Sequence, residues 1–388
     1  MPPVSLTLAP NGSMAVSPLR FLPLVPERRR GRRMSSIGGW QMQGNLHTLG
    51  YFSATVCMGT PPRSFDLIID TGSALTAVPC DGCPHCGTHK HGSINGARFS
   101  EASSSTAAAV PCSQPPSGMS SCRQCDGGKC GYSVSYTEGS SIRGHLVRDD
   151  FWFGLESGGK RAVRASFGCQ TYESGLFYSQ VADGISGFSQ GQGYGPVLFD
   201  YLRIATNCPD VFSICLSEDT GALVLGGAVP TNLNAGWIPF SGSTSYMVEM
   251  VDLKIDGVSV GERELTYRNT IIDSGTTFMY LPPNVYRKVR DQWRQHCPWG
   301  DCESRSVKGE YPDDYCYTMS EAELDSFVPS SLHFKNGVAV DFGPREYAYQ
   351  LRRGIWCLGV FDNSHNGVVI GAANMRNYEV RYSPPSHE

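Results

Sequence analysis

Leu67-Ile68-Ile69-Asp70-Thr71-Gly72-Ser73 reappears 203 residues later as Thr270-Ile271-Ile272-Asp273-Ser274-Gly275-Thr276. In each copy an apolar run enters an aspartate, followed by a hydroxyl residue, a glycine and a second hydroxyl residue. Downstream of each comes an apolar-glycine signal, Gly184-Ile185-Ser186-Gly187 in the first half and Val369-Ile370-Gly371 in the second. One copy in each half of a 388-residue chain predicts two related lobes. The expected boundary is the turn-rich stretch Gly227–Asn234.

A lone Asp-Thr-Gly is weak, because an aspartate at a strand end is most often a turn residue. Two copies in matching contexts carry a specific chemistry. If Asp70 and Asp273 meet at the tips of buried strands across a pseudo-twofold axis, they cannot both ionise cheaply and must share one proton. The charged member accepts a proton from water while the neutral member donates to a peptide carbonyl. Gly72 and Gly275 allow the tight turn that brings backbone N–H groups to the carboxylates. Ser73 and Thr276 are expected to hydrogen-bond the outer oxygens, and Thr71 and Ser274 to bond across the axis. The chemistry calls for no metal, no cofactor and no covalent nucleophile.

The surrounding pattern is that of an all-β protein. Tyr51-Phe52-Ser53-Ala54-Thr55-Val56 reads as a strand, Gly59-Thr60-Pro61-Pro62 as a turn and Phe65-Asp66-Leu67-Ile68-Ile69 as the next strand. Short strands between Gly/Pro turns recur, for example over Gly144–Phe153, Ala222–Gly227 and Met247–Ile255. One helix is predicted over Asn284–His296, with Val285, Val289 and Trp293 on one face as core residues. Hydrophobic residues at 40% and charged residues at 18% are ample for a large core, which excludes a disordered chain. No apolar run approaches the ~20 residues of a membrane helix, so no membrane span is expected.

Charge is uneven. Residues 1–40 hold six arginines, including Arg28, Arg29, Arg30, Arg32 and Arg33, against Glu27 alone, whereas the remainder is acidic. An acidic body with a short basic tail makes a poor nucleic-acid binder, since phosphate contacts need a basic face on the folded part. The arginine run can be read as a nuclear signal or nucleic-acid arm, but in a secretory chain it reads better as a pro-segment or processing site. Residues 14–26 are apolar but broken by Pro18, Arg20, Pro23 and Pro26, so no signal peptide is evident. Asn11-Gly-Ser, the one glycosylation sequon, lies in the same segment.

Of fifteen cysteines, seven lie between Cys80 and Cys130 in a Gly/Ser-rich stretch that cannot build its own core. Disulfides are expected there, because the other eight are scattered as in an oxidised protein. The competing reading is zinc, since Cys80, Cys83 and Cys86 sit near His85, His89 and His91. An odd total leaves at least one thiol unpaired. If pairing stays within lobes, that thiol is in the first lobe, with Cys57 the favoured candidate.

At the two Asp motifs the chain resembles the pepsin-like aspartic proteases, from about Gly44 onward and including Trp237-Ile238-Pro239 at the opening of the second lobe. The Cys-rich insert resembles that of nepenthesin-like and plasmepsin V-like members, the latter also through Phe212-Ser213-Ile214-Cys215 and Trp356-Cys357-Leu358-Gly359. The resemblance implies that Asp70 and Asp273 are the catalytic pair and that Tyr136, in Tyr136-Thr137-Glu138-Gly139-Ser140, is the flap tyrosine covering substrate. It also implies that Glu138 and Gln180 receive an arginine two residues before a leucine at the cut. Independently, an acid on a covering flap needs a cation to offset its desolvation, which a basic substrate side chain supplies. Ala77 stands where many family members have a tryptophan. The family continues past Tyr378–Tyr382 into a final strand, so the second lobe is expected to lack an edge strand.

The resulting expectation is a bilobal pepsin-like fold. Residues 1–43 form a pro- or targeting-like segment, 44–228 a first lobe with the insert 80–130, and 229–388 a second lobe. The expected function is an aspartic endopeptidase, a monomer acting on polypeptides in the secretory pathway, in the endoplasmic reticulum lumen or secreted, at Arg-x-Leu-type sites. Its rivals are a non-catalytic binding protein (a pseudoprotease) on the same scaffold and a zinc protein built on the Cys/His cluster.

Overall fold

The computed structural model describes residues 13–18, 38–46, 48–89, 98–154, 160–190, 193–226, 236–242, 244–310, 314–365 and 367–383. The expected lobe boundary, the arginine run and Asn11 of the sequon lie outside these residues.

The chain is mostly β and bilobal, and each lobe is built around the same four-strand arrangement. In the first lobe Arg63–Asp70 runs parallel to Gly184–Gly187, with Asp70 opposite Gly187. Gly184–Gly187 pairs antiparallel with Ala77–Pro79, which is itself parallel to Lys160–Ser174. In the second lobe Thr270–Ile272 is parallel to Val369–Ile370, which pairs antiparallel with Met279–Leu281, in turn parallel to Val360–Asp362. Leu67, Ile68, Ile69 and Ile272 are buried and Ile271 is partly so, because the faces of these short parallel strands are covered, which is why the runs read as continuous rather than alternating.

The lobes share one antiparallel sheet. Its strands run in the order Gly236–Pro239, Ser13–Pro18, Tyr378–Ser383, Phe212–Leu216, Thr220–Leu225 and Gly38–Asn45. Two parts of the segment read as targeting-like, Ser13–Pro18 and Gly38–Asn45, are therefore strands of this sheet. Within this sheet Tyr378–Ser383 has a neighbour on each side, Ser13–Pro18 and Phe212–Leu216. Above the sheet, the rings of Phe212 and Tyr382 stack at 4.7 Å, and Tyr246 lies 4.7 Å from Tyr382. Tyr246 also donates its hydroxyl to the Phe188 carbonyl at 2.8 Å, tying second-lobe to first-lobe chain.

The predicted helix is Pro283–Gln295, opened by a proline in the first turn, where its missing N–H costs nothing. Val285 and Trp293 are buried, and Val289 packs against the same core. The stretch Met247–Ile255 is two strands, Met247–Val248 and Met250–Ile255, because each pairs with a different sheet.

Six disulfides form: Cys80–Cys169, Cys83–Cys86, Cys112–Cys125, Cys122–Cys130, Cys297–Cys302 and Cys316–Cys357. All seven insert cysteines are bonded, and Cys80–Cys169 fixes the insert to the long strand Lys160–Ser174. With Cys80, Cys83 and Cys86 oxidised, the zinc reading loses its thiolate ligands. Three thiols are free, Cys57, Cys208 and Cys215, all before the expected boundary. Burial pushes the Cys215 thiol up to about 12.

Candidate active site

Asp70 ends its strand where the lobes meet, its carbonyl accepting the Phe188 N–H at 2.7 Å. One carboxylate oxygen accepts the Gly72 N–H at 2.8 Å, and the other accepts the Ser73 hydroxyl. Asp273 is held in the same way, by the Gly275 N–H at 2.8 Å and the Thr276 hydroxyl at 2.6 Å. Between them lies a reciprocal lock. The Thr71 N–H donates to Ser274 Oγ at 3.1 Å, and the Ser274 N–H donates to Thr71 Oγ1 at 2.9 Å. Each hydroxyl then donates to a carbonyl of the opposite lobe, Thr71 to Ile272 at 3.1 Å and Ser274 to Ile69 at 2.7 Å.

The two glycines are required by close approach. A Cβ on Gly72 would lie 2.6 Å from the Asp273 carboxyl carbon, and one on Gly275 would lie 2.6 Å from that of Asp70. Neither glycine is at positive φ, so the space beside the opposite carboxylate dictates the residue here, not the turn. Asp70 is buried, and burial together with the neighbouring Asp273 charge raises its carboxyl well above the usual carboxylate range. Ionising both carboxyls at once is therefore disfavoured, and the pair is suited to hold a shared proton.

Tyr136 stands at the edge of the hairpin Lys129–Ser135 and Ser141–Gly154, in the turn whose N–H donates to the Ser140 carbonyl at 2.9 Å. Burial, and then the Asp70 charge, push its phenol well up. Its ring lies 4.7 Å from that of Phe177. Glu138 is exposed at the tip of the same hairpin. The Gln180 side chain donates to the Ala182 carbonyl at 3.3 Å. No hydrogen bond joins Glu138 to Gln180 among the described residues. Ala77 is fully buried beside Ile142 and Ile185.

Three further residues act near the cleft: Tyr51 and Glu173, which had no site role in the sequence reading, and His89, which it offered only as a zinc ligand. The Tyr51 hydroxyl accepts the N–H groups of Val181 and Ala182 at 3.2 and 2.8 Å, fixing the chain after Gln180. His89 and Glu173 form a buried pair at 3.1 Å behind the same loop. No periodicity marks them, because their partners are distant in sequence and each contact is a single side chain.

Among the described residues one group of potential metal ligands clusters, Glu101, His145 and Cys169. The Cys169 sulfur is in a disulfide, and Glu101 is already engaged by His145 at 2.7 Å and Lys129 at 3.4 Å.

Two family models match the chain, described as xylanase inhibitor N-terminal over residues 52–227 and xylanase inhibitor C-terminal over 245–384. Among curated proteins, aspartic protease 5 of Toxoplasma gondii is 30% identical over 366 residues, covering 88% of this chain and 36% of that protein. Plasmepsin V of Plasmodium falciparum is 25% identical, covering 66% of this chain and 51% of its own length. Aspartic proteinase nepenthesin-2 of Nepenthes gracilis is 26% identical, covering 92% and 81% respectively. The chain thus spans about half or less of the two parasite relatives.

Proposed function

This chain belongs to the pepsin-like aspartic proteases, and from that premise we propose that it is an aspartic endopeptidase acting through Asp70 and Asp273. The observation that carries the proposal is the matched setting of the two carboxylates. Each accepts one N–H and one hydroxyl, and each faces the glycine of the other lobe.

In the proposed mechanism the pair holds one proton, and a water between the carboxylates attacks the scissile carbonyl. The charged carboxylate takes a proton from the water as the neutral one donates to the carbonyl oxygen, giving a tetrahedral diol. Ser73, Thr276 and the two glycine N–H groups stabilise the carboxylate oxygens that stay charged. Thr71, Gly72, Ser274 and Gly275 keep the two loops in register. Tyr136 closes over the peptide and excludes water.

The finer reading is a processing protease of the secretory pathway, resident in the endoplasmic reticulum lumen or secreted, with preference for Arg-x-Leu-type sites. Six disulfides support an oxidising compartment. The exposed Glu138 has no cationic partner among the described residues, which leaves its carboxylate free for a substrate arginine. The alternative, a non-catalytic binding protein on this scaffold, has in its favour the inhibitor description of the matching family models. The intact pair of aspartates with their hydroxyl partners weighs against it.

The deciding experiment is cleavage of an Arg-x-Leu peptide and an Ala-x-Leu peptide by the wild type and Asp70→Ala across pH 4–7.5. Cutting after leucine that needs both Asp70 and the arginine is the expected result. Cutting without arginine preference would remove the Glu138–Gln180 pocket and keep the protease. Folded protein that cuts neither peptide and does not bind a pepstatin-like transition-state mimic would leave the binding-protein reading.

A further inference from the structure

The short segment Gly175–Gln180, beside the flap, is held from two sides. On the flap side the Leu176 N–H donates to Ser140 Oγ at 2.9 Å, and Phe177 packs on Tyr136. Gly175 sits at φ 62, and a side chain there would run into Ser140. On the other side is the Cys-rich insert. A side chain on Gly87 would collide with the Tyr178 carbonyl, so the two backbones are in direct contact.

His89 fastens this second side. Its Nδ1 is 3.2 Å from the Gln180 carbonyl oxygen, and its Nε2 is 3.1 Å from Glu173 Oε2. The same Glu173 oxygen accepts the Gly87 N–H at 2.9 Å. His89 and Glu173 are 4% and 3% exposed, so water does not substitute for these partners. Both ring nitrogens thus face oxygen atoms that accept hydrogen bonds. A neutral imidazole has one N–H and can meet only one of them, whereas the imidazolium has two and meets both.

We propose that His89, as the imidazolium, is a positioning residue that locks the substrate-facing segment Leu176–Gln180 to the Cys-rich insert. Burial opposes the charge, but the hydrogen bond and charge of Glu173 outweigh it and lift the His89 pKa above its ordinary value. Among the described residues the charge of Asp183 acts in the same direction. The insert is then part of the cleft wall rather than a separate decoration. When pH rises through the His89 titration one of the two bonds is lost, the segment loosens, and peptide binding weakens without a change at the aspartates. That kinetic consequence rests on the protease reading; the protonation state and the segment's rigidity do not.

The test therefore has a spectroscopic arm and a kinetic arm, both on the full chain. Nitrogen-15 NMR of the imidazoles should show His89 with both nitrogens protonated at pH 6.5 and titrating above the ordinary value of about 6.5. Glu173→Gln should bring that titration down. Hydrogen exchange at Gln180 should accelerate in His89→Gln and Glu173→Gln relative to reference amides elsewhere. In the kinetic arm His89→Gln should raise KM about tenfold at low pH, the worth of one charged hydrogen bond, with kcat within about twofold. The KM gap should close above the His89 titration. A neutral His89 throughout pH 5–8, with Glu173 carrying the proton, overturns the proposal. So does unchanged exchange at Gln180, or kcat and KM changing together. Should the wild type cleave no peptide, the protease reading fails and the spectroscopic arm still decides the role of His89.

Discussion

Thr71 and Ser274 exchange hydrogen bonds across the lobe junction, each giving its N–H to the other's hydroxyl at 3.1 and 2.9 Å. Both residues are buried, and each hydroxyl also donates to a carbonyl on the far side. Every polar group in the lock is therefore satisfied only by the opposite lobe, so the distance between the two aspartate loops is set by four bonds rather than by loop stiffness.

Ser274→Ala removes an acceptor for the Thr71 N–H and a donor for the Ile69 carbonyl. Leaving these buried groups unpaired should lower stability by about 1–3 kcal/mol. Urea denaturation followed by tryptophan fluorescence measures it. Ser274→Thr, which keeps the hydroxyl, should recover most of the loss; equal destabilisation by both changes would show that the lock contributes nothing.

Gly72→Ala places a methyl 2.6 Å from the Asp273 carboxyl carbon. The loops must separate to admit it, and a displacement on the order of 1 Å at reacting groups can cost about 100-fold in rate. The expected outcome is a loss of at least that size in kcat, in protein that still unfolds cooperatively but melts lower because the lock between the loops is strained. Retention of wild-type kcat would mean that the carboxylates do not act as a contacting pair.

Asp70 is buried against Asp273 and its carboxyl is raised well above the usual range. A raised carboxyl contributes stability that is complete below the unfolded pKa, about 3.9, and is lost as pH rises through the folded value. Asp70→Asn is neutral at every pH and escapes that loss. It should abolish cleavage and yet melt higher than the wild type, by a gap that widens as pH rises from about 4. A gap that narrows over the same range would contradict the shared-proton arrangement.

Reducing the bond between Cys80 and Cys169, which are 89 residues apart, should have the largest effect on the insert. Loop entropy alone places the cost of the Cys80→Ala/Cys169→Ala double variant at about 4.6 kcal/mol. The denaturant midpoint should fall accordingly. If His89 ties the insert to the cleft, KM should rise in the same variant while it is still folded.

How far the sequence reaches is clearest at particular residues. Asp70 and Asp273, with their flanking hydroxyls and glycines, were legible because strand-to-turn chemistry is local and was written twice, at a spacing that no single lobe explains. The all-β class followed from the short apolar runs and the Gly/Pro turns between them. The helix ending near His296 was legible from the spacing of Val285, Val289 and Trp293. Cysteine parity indicated a leftover thiol in the first lobe, and Cys57 is indeed free, but so are Cys208 and Cys215, because parity counts bonds and does not choose partners. Only the tertiary structure decided that Cys80 reaches Cys169, that Ser13–Pro18 and Gly38–Asn45 join the sheet between the lobes, and that Gly72 is required by Asp273 rather than by its own turn. The same holds for His89, whose two acceptors lie 84 and 91 residues further along the chain. Local sequence encodes backbone preference and the polarity of a face. A contact between single side chains so far apart exists only once the sheets have set the strands in register.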